Sequence, residues 1–574
     1  MIDGGTVEVI RHYFVSTGEQ MRRTLIQTAF NAVIYEVHDF GISIYDGDLQ
    51  LIAEAPGIPE FLGANDYAIR KGVEHIGAEN LEPGDVALLN YPYWSSSHTY
   101  DAILFAPVFV PGASSPQAYL AVRAHWMDLG GKDPSYVLDS TDMHQEGLIL
   151  PATRVVKKGR IDEEIMDILR FNSRMPDLII GDFNAQLAAM RVGEQRMVEI
   201  FEKFGLDVID QAIERIIAHG ESMARDAIRA LPDGRWSAED WMDGDGITDD
   251  PIRLAVTVTI DGDRMIADYS DSSPAVPGPV NLPFGQTQSM ARTIFKSMTT
   301  PQEPTNAGHF RPLEVIAPPG NICHAVYPAP TFAALTTAVG LELIHKALSQ
   351  TLDSVPACSA GDMTTFDLTG IHPRSGELFS ISQNEGIGWG ATKEHDGGNG
   401  LQHPCTSGMH NTSIEVFEQK APVIHERLEI RTDSGGAGRL RGGLGTRRDI
   451  RAVTPVEILA MHQKTRTRPW ALQGGKEAES SALIAWPGTP RERALSTERF
   501  DLEPGESFHH FAGGGGGYGD PLEREPDRVV DDVLDGYISV EAAARDYGIV
   551  VAADGSWTPD ERRTAHEQEG RDGQ

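Results

Sequence analysis

Residues 98–126 read HTYDAILFAPVFVPGASSPQAYLAVRAHW, and the organisation of the first third of the chain turns on them. Two apolar runs of strand length, 102–110 and 118–126, flank a loop marked by Pro, Gly and Ser, the punctuation of two successive strands. Side chains alternate along a strand, so Tyr119, Ala121, Arg123 and His125 share one face. His98 and Asp101 form an H-x-x-D pair just before the first run, in a loop of small polar residues (Ser95, Ser96, Ser97). A turn there brings positions i and i+3 together, so an imidazole and a carboxylate can chelate one ion. If the two strands are neighbours, His125 returns to the region of His98. Asp39, at the switch from the first helix to the first strand, adds a second carboxylate. Two imidazoles and two carboxylates suit Zn²⁺, Mn²⁺ or Fe²⁺ better than Cu(I) or Ca²⁺. Asp128, three residues after His125, is a spare ligand or a hydrogen-bond partner of one. The chain holds 19 His, so H-x-x-D pairs also arise by chance, and the plain alternative is a polar histidine satisfied at a strand end.

The remaining pattern is read outward from this pair. Met21, Leu25, Ala29 and Ala32 recur at helical spacing and predict a helix over 17–36. HDFGISIYDGDLQLIAEA (38–55) switches to period two, with Asp46-Gly47 as a hairpin turn. Residues 184–229 read as two amphipathic helices parted at Gly205. Leu254, Val256, Val258 and Ile260 alternate along a strand that Asp261-Gly262 turns into a second hairpin. Residues 333–351 are helical again, 375–520 are rich in Gly and short strands, and 527–546 form a last helix. The expected fold is a mixed α/β (α+β), multidomain one. Residues 1–240 form an N-terminal α/β domain with the metal site and a helical pair. Residues 241–360 form a central α+β domain, 361–550 a Gly-rich β-dominated domain, and 551–574 a polar, disordered tail.

Composition narrows the function. The length of 574 residues is about four times the roughly 150-residue prior for one domain. Lys plus Arg is 49 against 84 Asp plus Glu, a net charge of −35. So acidic a surface, with no basic stripe, argues against a nucleic-acid partner. The three cysteines, Cys323, Cys358 and Cys405, are far apart and form no CxxC pair, which argues against a thiolate zinc cluster or a disulfide scaffold. No apolar stretch approaches the 18 or so residues of a membrane span, and the N-terminus lacks an export signal, so the expectation is a cytoplasmic protein with no membrane contact. DGDGITDD (243–250) misses the EF-hand template. GGGGGYGD (513–520) and DSGGAGRLRGGLG (433–445) could cradle an anion through backbone N–H groups, but neither has the strand-loop-helix and Lys-Ser/Thr of a P-loop. No GxSxG elbow is present.

Several motifs in order resemble the hydantoinase B/oxoprolinase family: HDFGISIYDGDLQLIAEAPGIPEFLG, SSSHTYDAILFAPVF, VRAHWMDLGGK, HQEGLILPATR, GDFNAQLAA, DSGGAGRLRGGLG and GGGGGYGDP. The resemblance runs from about residue 5 to about 550. It implies the B-type subunit of an ATP-dependent hydrolase of cyclic amides or imides (hydantoinase, 5-oxoprolinase or lactamase type). Such a subunit acts with an A-type ATPase subunit that binds ATP/Mg and phosphorylates the substrate, in a hetero-oligomer of two A and two B chains. The alternative is a subunit of an ATP- and bicarbonate-dependent ketone carboxylase, of acetone or acetophenone carboxylase type. A third reading is a scaffold in which the metal only holds the fold. Carried over residue by residue, Asp39, His98, Asp101 and His125 are the expected metal ligands. The family's R-A-H-H-x-D-[IV]-G-G reads RAHWMDLGG here, with Trp126 in place of the second His, and DPSYVLDS replaces the following P-G-S. Asp128 and Glu146 (in HQEG) are the acid–base candidates, whereas Asp182, Asn411, Glu415 and Asp433 read as structural.

The implied chemistry is coherent. An unstrained amide is a poor electrophile, and phosphorylating its oxygen creates a leaving group and exposes the carbon. A divalent ion that lowers the pKa of water from about 15.7 to about 7 would supply the nucleophile at neutral pH.

Overall fold

The computed structural model describes residues 2–552 and 555–572. Its first part is built on one antiparallel sheet of seven strands: β1 (Phe40–Asp46), β2 (Leu51–Glu54), β3 (Val86–Leu89), β4 (Asp101–Val108), β5 (Ala118–His125), β6 (Thr153–Lys157) and β7 (Arg160–Ile161). Their order is β2-β1-β5-β4-β3-β6-β7. The hairpin at Asp46-Gly47 forms as expected, and the two apolar runs are neighbours, β4 against β5. Parity sorts their side chains. Ala102, Leu104, Leu120 and Val122 join a core shared with the helices Gly4–Thr28 and Pro176–Phe204. Ile103, Phe105, Tyr119 and Ala121 face Ala68, Ile69 and Val73 of the helix Pro59–Ile76. A sheet covered on both faces needs apolar side chains at every position, which explains the unbroken hydrophobic runs.

The first helix runs Gly4–Thr28, not 17–36. Asp3 caps it, its side chain accepting from Thr6 N at 3.0 Å. Its end is imposed from outside: the amides of Phe30 and Asn31 both donate to Asp182 Oδ1, at 2.8 and 3.1 Å. Asn31 then caps the short helix Ala32–Tyr35. The helices Pro176–Phe204 and Leu206–Arg229 part at Gly205, where φ is +79°, a conformation that favours glycine.

A second sheet holds β8 (Gly234–Met242), β9 (Ile252–Asp261), β10 (Arg264–Asp268) and β11 (Leu313–Ile316), in the order β11-β10-β9-β8. Leu254, Val256 and Val258 of β9 share a core with Met290 and Phe295 of the helix Phe284–Thr299 and with Leu341 and Leu343 of the helix Ala333–Leu348. The Gly-rich region is a sandwich. One sheet has β12 (Thr365–Ile371), β13 (Leu378–Asn384), β16 (Val456–Met461) and β19 (Thr497–Leu502). The other has β14 (Val423–Ile430), β15 (Thr446–Ala452), β17 (Ala482–Ala485), β18 (Arg493–Leu495) and β20 (Ser507–Phe511). Phe366, Leu368, Ile458, Ile450 and Phe508 form the core they share.

The Gly-rich stretches serve packing of main chain on main chain. A Cβ on Gly442 would collide with the carbonyl oxygen of Gly515, and one on Gly514 with that of Ser434. Protein acceptors engage the nearby guanidinium groups. Arg441 donates to Gly442 O at 2.7 Å and Arg439 to Lys393 O at 3.1 Å.

Two expectations for the C-terminal end are corrected. Residues 527–546 form two helices, Pro526–Leu534 and Val540–Tyr547, with Gly536 at φ +74° between them. The stretch expected as a disordered tail, 551–574, carries a strand and a helix among its described residues. Ile549–Val551 pairs with Trp557–Pro559, and the helix Glu561–Asp572 follows. Buried Arg563 ties that helix down, its Nη2 donating to Arg524 O at 2.7 Å. Positions 553, 554, 573 and 574 of that stretch lie outside the described residues. Among the described residues, no helix is long and apolar enough to cross a membrane. The three cysteines are buried and free.

Candidate metal centre

β4 begins at Asp101 and β5 ends at His125, and the two residues are directly paired across the strands. Both have the parity of Ile103, Phe105, Tyr119 and Ala121, so both look toward the helix Pro59–Ile76. His98 lies in the turn before β4, where Asp101 N donates to His98 O at 3.2 Å. Asp39 immediately precedes β1, and its carbonyl accepts from His125 N at 3.3 Å. One register therefore carries all four candidates to one end of the sheet.

His98, Asp101 and His125 each bring a ligand atom within 4.8 Å of the others. Asp101 Oδ1 stands 3.4 Å from His98 Nε2 and 3.2 Å from His125 Nδ1, while Oδ2 accepts from Ser97 Oγ. Asp39 is outside this close group but lines the same cavity, with its Oδ1 buried and unpartnered. His125 Nε2 is likewise buried and unpartnered. When Nδ1 donates to Asp101, that Nε2 carries a free lone pair, as a metal ligand must. Three donors within 4.8 Å of one another, an orphaned imidazole nitrogen among them, and an orphaned Asp39 oxygen on the cavity wall fit a borderline divalent cation.

The electrostatics favour ligation by His98 directly, whereas His125 must give up a proton to bind a metal. Burial pulls the His98 pKa down to about 4, so the ring is neutral and able to ligate. Burial also opposes charge on Asp101, but His98, His125 and Arg123 outweigh it and hold that carboxyl below its ordinary range. Burial, with the charge of Asp101, pushes Asp39 upward despite His125 and Arg123. For His125, the bond to Asp101 and the charges of Asp39 and Asp101 exceed the cost of burial and raise its pKa. Asp101 opposes the ionisation of Asp39, and a cation bound between the two would relieve that repulsion.

The cavity measures about 30 Å³, room for a water-sized guest. Glu60, Tyr136, Phe332, Met363, Met409 and Met461 complete much of its wall. Tyr136 and Phe332 pack at a tilt against the imidazoles, with centroids 5.0 Å from His125 and 5.4 Å from His98 respectively. Sequence reading missed four neighbours: Glu60, Arg123, Tyr136 and Phe332. Arg123 was in view, since an arginine on the His125 face of an apolar strand is anomalous. It is fully buried, donates through Nη2 to Ser95 O, leaves Nε and Nη1 unpartnered and sits 5.0 Å from the Phe61 centroid. Phe332 comes from a distant segment and carried no local signal.

The two acid–base candidates stand apart from the cavity wall. Asp128 is fully buried and committed: Arg174 Nη2 lies 2.6 Å from its Oδ1, and Gly130 N donates to the same oxygen at 3.1 Å. Glu146 Oε1 accepts from Ser140 Oγ and Thr331 N, both at 2.9 Å, and burial raises its pKa to about 8. Both acids hold loops around the centre. Asp182 is structural, as expected, through Phe30 and Asn31.

With this geometry in hand, relatives become informative. A protein of Pseudomonas sp. (strain NS671), named as the B-type subunit of a D-/L-hydantoinase, is 30% identical over 96% of this chain and 95% of its own length. The beta chain of the caprolactamase of Pseudomonas jessenii is 28% identical over 98% of both chains. The 5-oxoprolinase of Dictyostelium discoideum is 28% identical over 90% of this chain, which spans 40% of that longer protein. The crystal structure of the ATP-dependent caprolactamase from Pseudomonas jessenii superposes with a TM-score of 0.89, at 27% identity and 99% coverage of both chains. A nucleotide-free acetone carboxylase shares the fold, with a TM-score of 0.88 at 18% identity, covering 99% of this chain and 83% of the other. The hydantoinase B/oxoprolinase family model matches residues 3–521, so a chain whose sheet gathers His98, Asp101 and His125 at one buried point belongs to the hydantoinase B/oxoprolinase family.

Proposed function

We propose that this chain is the metal-binding B-type subunit of an ATP-dependent hydrolase of cyclic amides or imides, working with an A-type subunit that binds ATP/Mg and phosphorylates the amide carbonyl oxygen. The observation that carries the reading is the buried group of His98, Asp101 and His125, with ligand atoms within 4.8 Å of one another and His125 Nε2 left unpartnered, in a family whose named members include a caprolactamase and 5-oxoprolinases. His98, Asp101, His125 and Asp39 would hold one divalent ion, Zn²⁺, Mn²⁺ or Fe²⁺. When bound, the ion supplies Lewis-acid polarisation and a more acidic water.

The chain's own groups have definable tasks. Asp101 Oδ1 fixes the His125 ring through Nδ1, and Ser97 holds the other carboxylate oxygen. Tyr136 and Phe332 pack on the imidazoles and keep bulk water from them. Arg123, buried near Asp39 and Asp101, balances their charge without bonding to either. The hydrolase reading is favoured over the carboxylase reading because the caprolactamase matches this chain end to end, whereas the carboxylase chain extends beyond it.

The test is to purify the chain with its A-type partner and supply cyclic imides, lactams and ketones with ATP, with and without labelled bicarbonate. ATP-dependent ring opening without label supports the proposal. Label retained in a stable carboxylate product means a carboxylase. His98→Ala with full turnover but lower thermal stability means a metal-held scaffold.

A further inference from the structure

The cavity beside the candidate metal ligands has a one-sided charge. Three carboxyl side chains line it, from Asp39, Glu60 and Asp101, and neither Lys nor Arg is in its wall. One divalent ion would neutralise Asp39 and Asp101. Glu60 then remains as the single acidic group facing a guest. It is 7% exposed, at the start of the helix Pro59–Ile76, and its Oε2 accepts from Gln286 Nε2 at 3.2 Å. Arg123 lies close by but does not line the cavity. The rest of the wall carries uncharged polar groups such as Asn384 and Thr406 and a broad apolar part, with Phe61, Phe332 and Leu335 and the thioethers of Met363, Met409 and Met461. Methionine is the side chain best able to move aside for a guest, having three soft torsions and no branch. A cavity of about 30 Å³ must widen to admit a ring, and these three side chains are the parts able to yield.

Building on the hydrolase reading above, we propose that the substrate is a neutral cyclic amide or imide without a carboxylate on its ring, and that Glu60 is a residue that enforces this choice. A ring carboxylate entering the cavity would lose its water, find neither Lys nor Arg in the wall, and face an ion whose charge Asp39 and Asp101 already balance. If Glu60 is ionised it repels the newcomer, and if protonated it offers one hydrogen bond and no countercharge. An uncharged ring with apolar methylenes loses nothing comparable, and its methylenes match the methionine and phenylalanine wall. Of the ring types named among the relatives, a caprolactam-like ring fits and 5-oxoproline does not.

The experiment compares 5-oxoproline with its neutral carboxamide and with 2-pyrrolidinone, three rings of one size that differ in charge. With the complete complex, metal and MgATP, kcat/KM for the neutral rings should exceed that for 5-oxoproline on the order of 100-fold, the result of excluding an unpaired buried charge. Glu60→Lys should narrow that gap by about tenfold or more. Should that variant fail to fold, the wild-type comparison decides alone. Equal kcat/KM for 5-oxoproline and its carboxamide overturns the proposal. Binding to the metal-loaded chain without ATP is followed separately by saturation-transfer NMR. If no ring is opened, the hydrolase reading falls, and this binding measurement still judges the charge rule. Neutral rings bound and 5-oxoproline rejected uphold it, whereas binding of 5-oxoproline, or of neither kind, overturns it.

Discussion

Asp101 and His125 face each other across β4 and β5, with Nδ1 of the imidazole 3.2 Å from Oδ1 of the carboxylate and both side chains 1% exposed. Strand register, not a local loop, sets this distance. The pair therefore persists without an ion, and loading the ion should tighten an existing site more than create one.

The metal follows directly. Elemental analysis of metal-replete protein should find one divalent ion per chain. His125→Ala and Asp101→Asn should each lose most of it, since either change removes a buried donor. Chelation should lower the urea midpoint of the wild type by an amount set by affinity, about 2.7 kcal/mol at a free metal concentration of 100 Kd. A wild type without metal, or variants that retain it fully, would exclude this centre.

Glu146 makes stability depend on pH. Its folded pKa is raised from 4.5 to about 8 by burial. A raised pKa favours the proton-bound folded state, so this contribution is complete below about 4.5 and is lost as pH climbs through about 8. The effect is a few kcal/mol at most. Glu146→Gln keeps an acceptor for Ser140 and Thr331 and has no charge to bury. Its urea midpoint should fall less than that of the wild type between pH 6 and pH 9, as order-of-magnitude limits of the window. Parallel pH curves for the two proteins would refute this.

Arg448 and Glu385 form an ion pair in which both side chains are fully buried. Removing one partner leaves a naked buried charge, so Glu385→Ala should cost about 3–5 kcal/mol of unfolding free energy. Arg448→Met together with Glu385→Leu should cost much less than the sum of the single changes. Additive losses in denaturant titrations would show that the pair is not coupled.

Gly442 packs its Cα against the Gly515 carbonyl. Gly442→Ala should therefore destabilise by about 2 kcal/mol or more, or abolish soluble expression. Gly112→Ala is the control for space: nothing lies within 4 Å of its Cβ position. Its φ of +88° still imposes a backbone penalty of about 1 kcal/mol. Equal losses in the two variants would remove close packing as the explanation.

Much was legible locally. Period-two alternation placed Arg123 and His125 on one face, Asp46-Gly47 marked a true hairpin, and Gly205 marked a true break between helices. Where reading failed, a partner that the local pattern does not announce had intervened. The first helix stops before residue 36 because Asp182 captures the amides of Phe30 and Asn31. The polar C-terminal stretch takes up regular structure where Trp557–Pro559 pairs with Ile549–Val551. Composition alone cannot announce such partners.

The same division holds at the centre. Donor chemistry and alternation, both local properties of the chain, offered Asp39, His98, Asp101 and His125 as candidates, the family resemblance made them the expected ligands, and the fold brings His98, Asp101 and His125 within 4.8 Å of one another. Packing alone decided the rest: that Asp128 belongs to Arg174, that Glu146 braces the 331 segment, and that Glu60, Tyr136 and Phe332 close the cavity. The reason is physical. Which atoms a buried polar group meets depends on elements hundreds of residues away, and only the folded chain brings them within reach.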